Sequence, residues 1–354
     1  MTPLLLRARR ALLLGELRPL EVLVLDGRVA AVAAAIDAPA DARVLDVDVL
    51  SPGFLDLHVH ALDGCGTVGA PDVPGLARAL ARRGVTGFLA TAAAAPVPAL
   101  LPLLAPVSTE GARCLGTHLE GPWLSTVHAG AQPRGALSSP DLAVLDQLLE
   151  AGPPAMITLA PELPGGLEAV AKATAAGVVV ALGHSGASYA HAAAAVVAGA
   201  RHVTHCFNAM RPLHHREPGL AGAALDLPDV TVEVIADGVH VHPAVVRLLW
   251  RACGAERLCL VSDAVDVALP GSDAAELDDG TLAGSRIGLD QAVRNCVGWG
   301  IPLADALTMA SVTPASVLGD RAGIVVGRTA DLTVLDDDLH VVLTVVGGRV
   351  VWER

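Results

Sequence analysis

Eight short apolar runs, each parted from the next by a stretch long enough for a helix, constrain this chain more than any other feature. The runs are Gly53–His60, Thr86–Thr91, Cys114–Gly121, Met156–Glu162, Val178–Ser185, His202–Asn208, Thr231–Gly238 and Leu258–Ala264. Between them lie helical spacers such as Pro74–Arg83, Leu142–Ala151, Gly166–Ala176, Tyr189–Ala198 and Pro243–Cys253, and the stretch Asp290–Leu318 reads as a closing helical segment. Strands buried on both faces read as continuous apolar runs, and parallel pairing requires a crossover between them. Eight such units predict an α/β fold, a (β/α)8 TIM-like barrel over residues 51–326. The ends do not fit that pattern. Glu21–Val32 reads as a hairpin turning on Asp26-Gly27, and Asp331–Leu335 and Leu343–Trp352 repeat the alternation near the C-terminus. The simplest pairing of these segments is a small β-sandwich domain built from both termini, residues 1–50 and 327–354.

Composition narrows the function. A net charge of −13 in 354 residues leaves no basic stripe for nucleic acid. Hydrophobic residues reach 53%, but no run of 18 apolar residues offers a membrane span. The first ten residues place their arginines after a very short apolar stretch, the reverse of a secretory signal. The six cysteines are scattered without a Cys-x-x-Cys pair and read as reduced cytosolic thiols. The expected setting is therefore the cytoplasm.

The chemistry gathers at the ends of the expected strands. Strand 1 closes on His58-Val-His60, and residues two apart on a strand face the same way, so both imidazoles aim at one point. Glu120 ends strand 3, His184 strand 5 and His205 strand 6, with Asn208 just beyond; strand 7 leads to Asp237 and His240, and strand 8 to Asp263. A TIM barrel carries its chemistry at those C-terminal ends. Histidines and carboxylates brought together there predict a divalent metal site with an open position, where a water becomes acidic enough to attack an amide. Asp263 is placed to take the proton from that water and hand it to the leaving amine. The only lysine, Lys172, lies in the helix after strand 4, so no lysine can bridge two ions there. Either Glu120 bridges or a single ion binds. After strand 6, the loop Arg211-Pro-Leu-His214-His215-Arg216-Glu217 reverses the local sign of an acidic chain, and arginine's planar fork suits phosphate or carboxylate. An anionic substrate is expected.

These motifs, in order over essentially the whole chain, resemble the N-acetylglucosamine-6-phosphate deacetylases of the amidohydrolase superfamily. The resemblance is carried by Pro-Gly-Phe-Leu-Asp-Leu-His58-Val-His60, His118-Leu-Glu120-Gly-Pro-Trp, Gly183-His184-Ser185 and His205-Cys-Phe-Asn208-Ala-Met. It continues through Arg216-Glu-Pro-Gly-Leu-Ala-Gly, Ile235-Ala-Asp-Gly-Val-His240 and Leu260-Val-Ser-Asp263-Ala. It implies a metal-dependent hydrolase that removes acetate from N-acetylglucosamine 6-phosphate in amino-sugar catabolism and cell-wall recycling. Glu120, His184 and His205 would hold one ion, and His58 and His60 a second in members that bind two. Zinc is the first expectation, with iron, cobalt or manganese as alternatives. Asp263 would be the general base and acid, His240 and Arg216 would meet the sugar phosphate, and the backbone at Asn208-Ala209 would contact the substrate. A homodimer is implied, the arginine coming from the neighbouring subunit.

Two departures stand out. The family usually carries Gly-x-His after the Glu-Gly-Pro motif, its histidine polarising the substrate carbonyl; here Gln132 stands at that position, with His128 nearby as a replacement. Losing one such donor can cost ~10²–10³ in rate. The segment Ala264–Gly284 is also shorter than the family pattern and reads as lacking a β-hairpin. Other N-acyl amino sugars, N-acyl-D-amino acids and a catalytically silent barrel remain the alternatives these departures raise.

Overall fold

The computed structural model describes residues 2–354 apart from Val68, residues 266–273 and 277–279, and Arg321, with only the backbone of Ala274 and Glu276. The N-terminal strands β1 (Leu4–Leu13), β2 (Glu16–Leu25), β3 (Arg28–Ala33) and β4 (Arg43–Pro52) lead straight into the first barrel strand, β5 (Phe54–Val59). Gly53 is the joint. A Cβ there would lie 2.1 Å from the Thr86 hydroxyl oxygen, so only glycine lets the two strands approach. Two short strands, β6 (Ala61–Leu62) and β7 (Cys65–Gly66), follow as a ribbon at the mouth.

The barrel continues with β8 (Val85–Ala92), β9 (Arg113–Glu120), β10 (Met156–Leu159), β11 (Val179–Leu182), β12 (His202–Val203), β13 (Thr231–Ile235) and β14 (Leu258–Val261). Neighbours pair in parallel in the order β14-β13-β12-β11-β10-β9-β8-β5. The ring closes through the parallel bridge Val59–Ala264 and the Asp263 N–H donating to His58 O at 2.8 Å. The eight expected strands are thus eight barrel strands. Several end sooner than the apolar runs suggest: β10 stops at Leu159, leaving Glu162 in the following turn, and β12 is two residues long. The cause is local. His205 and Phe207 adopt positive φ (26° and 77°), which no strand tolerates.

Helices Val73–Ala81, Leu142–Ala151, Gly166–Ala175, Tyr189–Ala198 and Pro243–Cys253 occupy the expected spacers. Asp290–Leu318 is not one helix but three, Leu289–Gly298, Leu303–Ala310 and Val312–Val317; Gly300 at φ 88° and Pro302 break the first junction. The segment after Asp263 also differs from expectation. Within the described part of Ala264–Gly284, β15 (Ala274–Glu276) pairs antiparallel with β16 (Leu282–Ser285), so a two-stranded ribbon is present. Residues 266–273 and 277–279 of that segment lie outside the described residues.

The termini pair as one β unit. β17 (Leu332–Leu335), β18 (Val341–Val346) and β19 (Arg349–Glu353) join the N-terminal strands in one hydrogen-bonded sheet, β19-β18-β17-β4-β1-β2-β3, rather than in two separately bonded sheets. Leu6, Val22, Val29, Leu50, Val334 and Val345 meet in its core. This unit docks on the N-terminal end of the barrel through buried hydroxyls: Thr333 Oγ1 donates to Gly84 O (2.6 Å) and Thr344 Oγ1 to Ala81 O (2.8 Å). Each carbonyl also accepts a backbone N–H, Gly84 O from Phe54 and Ala81 O from Gly84, so deleting either hydroxyl removes one of two bonds, a loss of about 0.5–1.5 kcal/mol. Thr333→Val and Thr344→Val should therefore each lower the denaturant midpoint at unchanged slope while leaving metal content intact; a midpoint equal to the parent's would remove these bonds from the account.

Candidate metal centre

The strand ends do not simply stop; several turn over. His184, His205 and Asp263 all have φ between 26° and 47°, a left-handed conformation unusual for these residues, which swings each side chain toward the barrel axis. Together with His58, His60 and Glu120 they form a cluster in which every one of the six residues is buried. Glu120 is its centre. One carboxylate oxygen, Oε1, lies 2.8 Å from His184 Nε2 and 3.0 Å from His205 Nε2. The other, Oε2, lies 3.1 Å from His60 Nε2 and 3.6 Å from His58 Nε2. Asp263 Oδ1 approaches the same two rings at 3.4 and 3.5 Å.

Ring tautomers decide what this cluster can hold. His184 Nδ1 sits 3.0 Å from the His128 carbonyl and His58 Nδ1 3.1 Å from Glu233, acceptors that accept only from a protonated nitrogen. A neutral ring has one N–H, so Nε2 of both rings presents a lone pair to Glu120. Lone pairs facing one another at such distances repel unless a cation or additional protons lie between them. Burial opposes charge on His58, but Asp263, Glu120 and Glu233 outweigh it and hold its pKa well above the ordinary value. Burial likewise opposes charge on Glu120, and His58 and His184 overcome it, holding the carboxyl well below its usual range. The spacings also suit metal ions: ligands at about 2.0–2.1 Å on a tetrahedral ion stand about 3.3 Å apart. His58 and His60 Nε2 are 3.3 Å apart, and His184 and His205 Nε2 3.1 Å. Among the described residues, His58-His60-Glu120 and Glu120-His184-His205 are two potential metal-binding triads that share Glu120.

The surroundings tune the cluster. Gln132 donates its amide N–H to Glu120 Oε2 and accepts from Ala94 N–H at 2.8 Å, so it steadies the shared carboxylate. His118, behind His58, is pushed down to about 3, chiefly by burial and then by His58, and stays neutral. Its Nδ1 donates to Leu57 O at 3.0 Å. Over the cluster opens a cavity of about 550 Å³, lined by His60, Glu120, Gln132, His184, His205, Asn208, Ala209, His240 and Asp263. Thr281–Gly284, from the ribbon, supply another wall. His240 is held at the rim: its Nδ1 lies 2.6 Å from Asp237 Oδ2, and Asp237 Oδ1 accepts from the N–H of Val239 and His240.

Two expected substrate contacts lie elsewhere. His128 does not line the cavity; its carbonyl orients His184 while its ring packs beside Gly186. Arg216 is exposed and also absent from the lining, as are Arg211, His214 and His215. Glu217 does not neutralise that loop by a bond, because its Oε1 accepts from Tyr189 N–H and Gly219 N–H. One residue escaped sequence reasoning altogether. Glu233, fully buried in β13, contacts His58, His202 and the His205 backbone. Its signal was available, since a lone acid within Thr-Val-Glu-Val-Ile must find partners if the strand is buried.

Comparison with known proteins agrees with this geometry. Residues 49–351 match the model of the amidohydrolase family. An N-acetylglucosamine-6-phosphate deacetylase of Vibrio furnissii is 36% identical, covering 89% of this chain and 86% of the relative. An N-acetylgalactosamine-6-phosphate deacetylase of Escherichia coli O157:H7 is also 36% identical, covering 95% and 96%. The structure superposes at a TM-score of 0.90 on a mutant N-acetyl-D-glucosamine-6-phosphate deacetylase of Mycobacterium smegmatis in complex with N-acetyl-D-glucosamine-6-phosphate, with 38% identity over 99% of this chain and 100% of that one. The chain belongs to the amidohydrolase family, in the branch of the N-acetylglucosamine-6-phosphate deacetylases.

Proposed function

We propose that this protein hydrolyses the acetamide of N-acetylglucosamine 6-phosphate to glucosamine 6-phosphate and acetate, in a metal-dependent reaction. The observation that carries the reading is Glu120, with two imidazole Nε2 atoms on each carboxylate oxygen, at the floor of a cavity sized for one sugar. Glu120, His184 and His205 would hold one divalent ion, and His58, His60 and the other oxygen of Glu120 a second. Zinc is the ion these nitrogen and oxygen donors suit first, ahead of iron, cobalt or manganese. When bound, such an ion supplies Lewis acidity, acidifying a water and polarising the acetamide carbonyl.

The chain's own residues perform the proton transfers and the positioning. Asp263 lines the cavity with its carboxylate beside His58 and His60. It takes a proton from the attacking water as the new C–O bond forms. It then returns that proton to the sugar nitrogen as the C–N bond breaks, leaving acetate and a free amine. Gln132 keeps Glu120 in place, so its amide serves the metal ligands as well as any substrate carbonyl. The backbone at Asn208-Ala209 and the Nε2 edge of His240 face the sugar and its phosphate. Arg216 does not reach its own cavity, which supports a homodimer in which each subunit lends that arginine to the other. No helix among the described residues is long and apolar enough to cross a membrane, and the six free cysteines support a cytoplasmic setting.

A second reading, N-acetylgalactosamine 6-phosphate as substrate, is favoured by the equal identity of the Escherichia coli relative. Acetate release should be measured on both phosphorylated sugars and on unphosphorylated N-acetylglucosamine, with metal content on the same sample. Fast release from N-acetylglucosamine 6-phosphate is expected; release confined to the galacto sugar, or none with metal present, would overturn the assignment. Arg216→Ala should raise KM for the phosphorylated substrate by about 10-fold or more, the scale of a charge-assisted bond, and barely change hydrolysis of the unphosphorylated sugar. Equal KM values for parent and variant would remove Arg216 from phosphate binding. Asp263→Asn should lower kcat by about 10²–10⁴ while the His184/His205 half keeps its ion, and full activity would exclude Asp263 as the base.

A further inference from the structure

Glu233 is a charged residue for which the reaction has no use. It stands in the middle of β13 with no exposed surface, beneath the cluster and among barrel-core residues such as Leu57, Ile235 and Val261. An apolar side chain would fill that place without the desolvation a carboxylate suffers. Both of its oxygens are engaged. Oε2 accepts from His58 Nδ1 and from the His205 backbone N–H, each at 3.1 Å, and Oε1 accepts from His202 Nε2 at 3.0 Å. The arrangement is asymmetric among the four imidazoles of the cluster. His184 Nδ1 meets only a neutral carbonyl, and the Nδ1 atoms of His60 and His205 are buried without a partner. Only His58 is backed by a carboxylate.

We propose that Glu233 is a positioning residue for the His58/His60 half of the metal centre, holding the His58 proton on Nδ1, fixing the ring, and making its Nε2 a stronger donor to a divalent cation. A carboxylate behind a ligating histidine typically contributes 10–100-fold in metal affinity. The effect is selective, because the His184/His205 half has no such carboxylate. The inference rests on the reading that the Glu120 cluster binds divalent ions.

The test is a zinc titration of the full-length apoprotein against a chromophoric chelator. His60→Asn identifies the zinc equivalent that belongs to the His58/His60 half. Glu233→Gln should weaken that equivalent by about 10–100-fold while the other changes by less than about threefold. His202→Gln cuts the opposite end of the same buried bridge and separates a purely structural role; it should leave both equivalents within about threefold of the parent. Unchanged zinc affinity in Glu233→Gln, or equal losses in Glu233→Gln and His202→Gln, would overturn the proposal. Should Glu233→Gln fail to fold, Glu233→Asp replaces it, keeping the charge but shortening its reach, and weakening of the same equivalent is again required. A parent protein that binds no zinc sensitive to Glu120→Gln would instead defeat the metal-centre reading itself, and a parent with a single equivalent at His184/His205 would defeat this inference alone.

Discussion

One carboxylate, Glu120, organises this molecule. It lies in a nearly dry pocket with two imidazole nitrogens on each oxygen and a second carboxylate, Asp263, on the far side of one pair. Without positive charge between them these groups repel; Asp263, Glu120 and Glu233 push the pKa of His58 up against burial, and His58 and His184 hold that of Glu120 down. A divalent cation would supply the missing positive charge, with donors already at ligand spacing. The barrel exists, in this sense, to bring six residues from strands far apart in sequence to one end of its axis. The left-handed backbone at His184, His205 and Asp263 is the local strain that final step requires.

Much of the rest of the structure stiffens this arrangement. The terminal sheet is bonded to the opposite end of the barrel through Thr333 and Thr344, so it supports the strands without entering the cavity. Gln132, the His128 carbonyl and Glu233 each hold one residue of the cluster from behind. His240, braced by Asp237, stands at the cavity rim, and the exposed Arg211–Arg216 loop lies outside the lining.

How much of this was legible in the sequence follows from the range of the interactions. Strand identity and the inward aim of His58 and His60 are local properties, set by apolar runs and a period of two, and the barrel and the gathering of the clustered residues at its strand ends could be read from them. The three-helix division of Asp290–Leu318 was also local, written in Gly300 and Pro302. The ribbon of β15 and β16 was missed because its short strands carry no alternating pattern. Glu233 is a different case: a lone acid in an apolar strand signals that it needs a partner, but His58 is 175 residues away, and only closure of the barrel shows that it is that partner. Gln132 shows the same limit. Its position marked it as a substitute donor to substrate, whereas its grip on Glu120 depends on where a loop comes to rest.

The central claim is that Glu120 is shared between two cation positions. Crystals grown with zinc, with anomalous data collected on both sides of the zinc absorption edge, test it directly. The account predicts two zinc peaks flanking the Glu120 carboxylate, one against His184 and His205 and the other against His58 and His60. Zinc peaks only at sites remote from Glu120, or none in a fully active crystal, would contradict it.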